Sequence, residues 1–228
     1  MRRKFILPIA LCALLGAGIA GPVAANTTRY SNAIAVQAQP ARVVQVAIDR
    51  TFTLYERAKI FRAVNEWNTV LNGQIRLEIS PVDYDPSVAK AGGAPRKDGW
   101  TIAKIDSRDP MLDHPAMKRT LAVTVGTRSA VVYVVADRLG TRDLGGIMMH
   151  EFGHALGAGH DADSALMYPY YTGNKQRCID KGAARAVAAS QNLNLANLTW
   201  CAGDSTEVAQ RQADAGHKST SISTRLRR

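Results

Sequence analysis

Residues 150–160 read His-Glu-Phe-Gly-His-Ala-Leu-Gly-Ala-Gly-His and combine three histidines, one glutamate and three glycines in eleven positions. Residues four apart share one face of an α-helix, so a helix here would present the imidazoles of His150 and His154 to the same metal ion. Gly157 allows the chain to leave the helix in a left-handed conformation, and the turn returns His160 to that ion. Three neutral imidazoles suit Zn²⁺ and leave a fourth position for water, which is typical of a catalytic zinc site.

Glu151 follows the first of these histidines, where its carboxylate can reach a zinc-bound water without itself binding the metal. Zinc lowers the pKa of its bound water to about 7, and a neighbouring carboxylate can take that proton and later pass it to a leaving amine. The pattern therefore predicts one catalytic zinc ion, with Glu151 as general base and acid. The alternative from the residues alone is a zinc ion that serves only the fold.

The eleven residues resemble the motif of the metzincin metalloproteases, His-Glu-x-x-His-x-x-Gly-x-x-His followed by a turn that contains methionine. Met167 stands seven residues after His160. By this resemblance Met167 is an apolar floor beneath the zinc ion and not a ligand. The resemblance also implies a zinc endopeptidase, whose partner is a protein or peptide substrate; the predicted signal peptide described below would make it a secreted one.

Residues 165–171, Ala-Leu-Met-Tyr-Pro-Tyr-Tyr, are similar to the matrixins, the matrix metalloproteinase branch of the metzincins, peptidase family M10. Other branches carry a tyrosine two residues after the methionine, where this chain has Pro169. The resemblance implies that three residues form one wall of the primed-side specificity pocket, namely Pro169, Tyr170 and Tyr171. Such a pocket would accept a bulky hydrophobic side chain.

The remaining sequence predicts strands and helices around the motif. Segments rich in β-branched or alternating apolar residues predict strands at residues 41–49, 74–80, 100–106, 120–125 and 130–136. A capping box at Thr53 and Glu56 predicts a long helix, whose apolar face would hold Ile60, Phe61, Val64, Trp67 and Leu71. Asp143 is placed to cap the helix of the zinc motif, and Asp180 to cap a last helix.

This order of elements predicts an α+β fold, with a mixed, twisted β-sheet of about five strands, the long helix, the zinc-site helix and a C-terminal helix. The resemblance implies the same order in a metzincin-like catalytic domain. It also implies that an edge strand above the cleft pairs with the extended substrate. Residues 120–125 are the candidate for that strand.

The chain divides into four segments. Residues 1–25 begin with Arg2, Arg3 and Lys4, continue with an apolar run and end in small residues, which predicts a secretory signal peptide. A twin-arginine signal and a lipid anchor on Cys12 are weaker alternatives. Residues 26–40 indicate a flexible lead-in, 41–202 the protease domain and 203–228 a disordered basic tail. The mature protein is expected outside the cytoplasm, in the periplasm or the medium.

Export also bears on the cysteines. Cys12 leaves with the signal peptide, so Cys178 and Cys201 are the one pair that an oxidising compartment could join. Two separate buried thiols are the alternative. Such a bridge is not a general matrixin feature, and the pro-segment cysteine that keeps many animal matrixins latent has no counterpart between Cys12 and Cys178.

Charge excludes some classes of function. Half of the net charge of +10 lies in the signal and tail segments, and the basic residues of the domain are scattered without interleaved aromatics. We therefore expect no nucleic-acid binding. The apolar run of the signal segment is short and interrupted by proline and glycine, so we also expect no stable membrane insertion. The protein is expected to be a monomer. The competing class is a non-catalytic secreted protein that keeps zinc for folding and attaches to anionic cell-surface polymers.

Acidic residues in the loops could hold Ca²⁺ or simply be solvated. These residues are Asp83, Asp85, Asp98, Asp106, Asp109 and Asp113.

Overall fold

The computed structural model describes residues 30–31, 42–87, 99–172 and 177–201. Within these ranges the strands are β1 (Tyr30–Ser31), β2 (Arg42–Ile48), β3 (Ile75–Ile79), β4 (Trp100–Ile105), β5 (Ala122–Val125), β6 (Val131–Val135) and β7 (Trp200–Cys201). The α-helices are α1 (Leu54–Leu71), α2 (Ala136–Leu139), α3 (Leu144–Ala155) and α4 (Lys181–Gln191). The predicted signal peptide and basic tail lie outside the described residues.

Five strands form one sheet in the order β3-β2-β4-β6-β5. The strands β3, β2, β4 and β6 run parallel, while β5 is antiparallel to β6, with Ala122 opposite Val134 and Val125 opposite Val131. The predicted mixed, five-stranded α+β fold is therefore confirmed. Strand β5 begins at Ala122, two residues later than predicted, and forms one edge of this sheet.

Helix α1 begins with the predicted capping box, in which the Thr53 hydroxyl accepts from the Glu56 amide and the Glu56 carboxylate accepts from the Thr53 amide. Asn72 ends the helix in a left-handed conformation, with φ of 46°. Four of the five predicted core residues are buried, including Trp67. The prediction for Phe61 is wrong, since its side chain is 38% exposed. A residue directly after Ile60 is rotated about 100° from it around the helix axis.

Helix α3 carries the metal motif through the interior of the domain. The Asp143 carboxylate accepts a hydrogen bond from the Gly145 amide and caps the helix as predicted. All twelve residues of α3 are buried between α1 and the sheet. The indole nitrogen of Trp67 donates to the Met149 carbonyl over 2.8 Å, which ties α1 to α3 at the turn before the first histidine. The position of the motif is thus set by the protein core.

Helix α4 closes the C-terminal side and begins, as predicted, at the cap Asp180. A disulfide joins Cys178 to Cys201, with the two Cα atoms 6.1 Å apart. The short strands β1 and β7 pair antiparallel, so two residues of the predicted lead-in, Tyr30–Ser31, have a defined backbone partner. No helix within the described part of the chain is both long and apolar enough to span a membrane.

Candidate metal centre

Three histidine side chains converge at the end of α3. The Nε2 atom of His154 lies 3.1 Å from Nε2 of His150 and 3.2 Å from Nε2 of His160. One potential ligand atom from each ring lies within 4.8 Å of those of the other two. Within the described ranges, no other group of three or more His, Cys, Asp or Glu side chains is close enough to share a metal ion. The predicted i, i+4 pair and the returning third histidine therefore meet at one point.

Backbone carbonyls orient two of these rings. Nδ1 of His150 lies 2.6 Å from the Leu166 carbonyl, and Nδ1 of His154 lies 2.9 Å from the Ala158 carbonyl. In a neutral imidazole with this contact, Nδ1–H donates to the carbonyl and leaves the Nε2 lone pair for a metal. Carbonyl partners of this kind fix ring orientation and raise the basicity of a metal ligand.

The surroundings of the histidines favour their neutral form. Burial lowers the pKa of His150 well below its usual range, and the adjacent rings of His154 and His160 lower it further. Burial also lowers the pKa of His160, which is the most exposed of the three. A set of three neutral imidazole nitrogens fits Zn²⁺. The chemistry of the donor set therefore agrees with the predicted metal.

Gly157 makes the turn that brings His160 back. Its φ is +97°, in the region that disfavours residues with a side chain, and a Cβ atom here would collide with the Ser190 hydroxyl. The preceding residue, Leu156, is the C-cap of α3, and the Gln191 side chain donates to the Leu156 carbonyl over 2.7 Å. The turn is thus held against the end of α4.

Glu151 belongs to α3, its carboxylate contacts the edge strand β5, and none of its surface is exposed. The hydroxyl of Thr124, on β5, donates to Oε2 of Glu151 over 2.5 Å and to the Glu151 carbonyl over 3.2 Å. Thr124 is also fully buried. Sequence reasoning missed this residue, although it placed a strand over 120–125, because the contact joins segments 27 residues apart.

The Met167 side chain packs against the zinc-site helix, and its role as a floor beneath the metal stays a prediction. This side chain is buried against Gly153, so that a Cβ atom at Gly153 would lie 2.5 Å from the Met167 sulfur. The Met-turn, residues 164–167, is closed by a hydrogen bond from the Met167 amide to the Ser164 hydroxyl, 2.9 Å long. The Asp161 amide donates to the Met167 carbonyl over 3.0 Å. Because Asp161 directly follows His160, this bond holds the Met-turn close to the third histidine.

The three predicted pocket residues have different surroundings. Tyr171 is half-buried against the core, and its hydroxyl accepts from the Asp143 amide over 2.9 Å. Tyr171 lines a cavity of about 520 Å³ at the start of α3, whereas Pro169 and Tyr170 do not line it. The Tyr170 side chain is 40% exposed and packs edge-on to Tyr168. The other walls combine apolar residues, among them Leu139 and Leu144, with five charged side chains, namely Glu56, Lys59, Arg62, Arg142 and Asp143.

Several predicted calcium ligands contact arginine side chains. Asp83 pairs with Arg57, Asp85 with Arg50 and Asp106 with Arg108. Asp109 instead caps a short 3₁₀ helix, Pro110–Leu112, and Asp98 lies outside the described residues. Calcium binding by these loops stays a prediction.

Comparison with known proteins assigns the chain to a family. The family model described as matrixin (peptidase family M10) matches residues 45–189. No curated protein matches the sequence. Among solved structures, the chain is similar to high choriolytic enzyme 1, a hatching enzyme zinc-protease from Oryzias latipes (medaka fish). The identity is 17% and the TM-score 0.33, over 56% of this chain and 50% of that chain, so the match spans half the length of the fish protein. Because the matrixin model covers more than half of the chain and includes the converging histidines, the protein belongs to the matrixins, a metzincin family.

Proposed function

We propose that the protein is a secreted zinc-dependent endopeptidase with Glu151 as the general base and acid. The observation that carries this proposal is the position of the Glu151 carboxylate, which is fully buried next to the first of three converging histidines and fixed by Thr124. A zinc site that served only the fold would have no need of a buried carboxylate held in this way. The non-catalytic binding protein is therefore the weaker alternative.

The three histidines His150, His154 and His160 would hold the ion through Nε2. When bound, zinc lowers the pKa of a water molecule and polarises the scissile carbonyl group. Glu151 takes a proton from the attacking water, whose oxygen adds to the carbonyl carbon. As the carbon–nitrogen bond breaks, Glu151 passes that proton to the amine that leaves. The Thr124 hydroxyl holds Oε2 of the Glu151 carboxylate. Oε1 would then be the oxygen that exchanges the proton with the water and the amine.

The substrate is proposed to bind along β5. This strand lies at one edge of the five-stranded sheet and packs against α3, the helix that carries His150 and His154. An extended peptide can add to such an edge through main-chain hydrogen bonds. Thr124 belongs to the same strand and holds Glu151, so the strand that binds the peptide would also fix the general base.

The primed side is proposed to accept a bulky hydrophobic residue against Tyr171. The aromatic ring packs on the core, and its hydroxyl is fixed to the first residue before α3. This arrangement supports a rigid aromatic wall. The charged side chains in the mixed lining of the neighbouring cavity would limit how far an apolar side chain can extend beyond the ring.

Action outside the cytoplasm is supported by the disulfide between Cys178 and Cys201, since such bridges persist in oxidising compartments. The predicted signal peptide at residues 1–25 agrees with this location. Periplasm and medium are both compatible with it.

The experiment is digestion of gelatin and of quenched fluorescent peptides by the purified, zinc-loaded protein. Peptides that differ only in the residue after the scissile bond, Leu, Ala or Asp, test the primed-side preference. We expect cleavage that a chelator abolishes and added zinc restores, with Leu preferred over Asp. Absence of cleavage of every protein and peptide tested would overturn the proposed activity, and equal cleavage of all three peptides would overturn the proposed preference.

A further inference from the structure

Asp180 does more than cap α4, because its carboxylate also contacts the Met-turn. The Ser164 hydroxyl donates to the two Asp180 oxygens over 3.0 and 3.1 Å, and the Leu166 amide donates to Oδ2 over 2.8 Å. The capping bond from the Ala183 amide is 3.0 Å long. One carboxylate therefore joins the start of α4 to the turn beneath the metal centre.

These contacts form a continuous hydrogen-bond relay that ends at a metal ligand. Ser164 donates its hydroxyl proton to Asp180 and accepts the Met167 amide proton over 2.9 Å. The Met167 amide and the Leu166 carbonyl belong to the same peptide group, and that carbonyl faces Nδ1 of His150 at 2.6 Å. Bonds that run in one direction polarise one another. The negative charge of Asp180 thus polarises each bond of the relay, up to the bond between the Leu166 carbonyl and the ring of His150.

The disulfide holds the segment that carries Asp180. Cys178 stands two residues before Asp180 and is bonded to Cys201, whose amide donates to the Ile179 carbonyl over 3.0 Å. The Ile179 side chain between them is fully buried. A covalent bond, a backbone hydrogen bond and a core side chain therefore fix the chain immediately before the carboxylate.

We propose that Asp180 and Ser164 are positioning residues for the zinc ligand His150, and that the Cys178–Cys201 disulfide anchors them. The inference rests on the proposed function, since it takes His150 to bind zinc. The relay orients the imidazole and increases its basicity, and both effects strengthen zinc binding. A purely structural role would instead affect the stability of the metal-free protein and leave zinc affinity unchanged.

The test compares zinc affinities measured by competition with a chelator of known affinity, without any substrate. Ser164→Ala breaks the relay but leaves the Asp180 contacts with Leu166 and Ala183 possible. Asp180→Asn keeps a good capping residue while removing the charge. Thr53→Ala is the matched control, because it removes a helix-capping hydroxyl on α1 that has no contact with the Met-turn.

We expect Ser164→Ala and Asp180→Asn to lower zinc affinity about 10- to 100-fold, the range found for outer partners of metal ligands. We expect Thr53→Ala to lower only the melting temperature of the metal-free protein. Replacing both disulfide cysteines by serine should weaken zinc binding in the same direction. Zinc affinities equal to wild type in Ser164→Ala and Asp180→Asn, with or without lost stability, would overturn the inference.

A Co²⁺-loaded sample gives a second readout. Altered positioning of His150 should shift the visible absorption of the cobalt site in Ser164→Ala and leave it unchanged in Thr53→Ala. Because neither measurement uses a substrate, failure of proteolysis would refute the proposed function alone. Wild-type affinity and an unshifted spectrum in Ser164→Ala would refute the positioning role alone.

Discussion

Replacement of Thr124 by valine tests whether the contact on the edge strand prepares Glu151 for catalysis. Valine has nearly the shape of threonine but cannot donate, so the 2.5 Å bond to Oε2 is lost while the buried volume is kept. A hydrogen bond to a charged group contributes about 1.5 to 3 kcal/mol. At about 1.4 kcal/mol for each tenfold change in rate, its complete loss would lower kcat/KM roughly 10- to 150-fold.

The assay is cleavage of one quenched peptide by wild type, Thr124→Val and Thr124→Ser at matched zinc content. We expect Thr124→Val to lower kcat and to leave KM nearly unchanged. The Thr124 hydroxyl contacts the Glu151 carboxylate, whereas a β-strand binds peptide through its backbone. Thr124→Ser keeps the hydroxyl and should restore most of the activity. The reasoning is refuted if Thr124→Val cleaves as fast as wild type, or if serine and valine variants lose activity equally while remaining folded.

Two further predictions concern the histidine site. Burial depresses the pKa values of His150 and His160 below their ordinary value of 6.5, so the unfolded chain binds protons there before the folded one does. The metal-free protein should therefore lose stability as pH falls below about 6.5. The fully buried His150 sets an upper limit of about 1.4 kcal/mol per pH unit, and the more exposed His160 adds less because solvent screens it. A flat profile in denaturant titrations from pH 8 to 5.5 would contradict this. Gly157→Ala combines a positive φ with a clash at Ser190, so we expect it to destabilise the protein by about 1 to 3 kcal/mol and to weaken zinc binding by displacing His160. Wild-type melting temperature and zinc affinity in this variant would show that the turn is not constrained as described.

Features that depend on neighbouring residues could be read from the sequence. The capping box at Thr53, the cap at Asp143 and the spacing of His150 and His154 are set within one or two helical turns, and each occurs as predicted. The turn at Gly157 is also a local feature, and it correctly predicted that His160 returns to the other two histidines. Local patterns therefore sufficed for three helices and for the convergence of the three histidines.

Features that depend on how distant segments pack could not be read in this way. The cap at Asp180 was predicted, but its bond to the Leu166 amide depends on where α4 docks. Thr124 faces Glu151 only because β5 lies against α3. The prediction for Phe61 failed because an apolar side chain near a helical face can still point outward when no element covers it.

Pairing between β1 and β7 joins residues about 170 positions apart, and two-residue strands leave no periodic pattern in the sequence. The charged lining of the cavity at Tyr171 likewise comes from α1 and the loop before α3, which only the tertiary structure brings together. Both features lie beyond what spacing along the chain can indicate.

The most direct test of the central claim is hydrolysis of a single peptide by zinc-loaded wild type and Glu151→Gln, with zinc content measured on the same samples. Glutamine has nearly the size of glutamate but cannot accept the proton from water. We predict that Glu151→Gln keeps one zinc ion per chain and loses activity by at least about 100-fold, the usual contribution of a general base. Full activity in this variant would contradict the assignment of Glu151, and inactive zinc-loaded wild type would contradict the assignment of the protein as an endopeptidase.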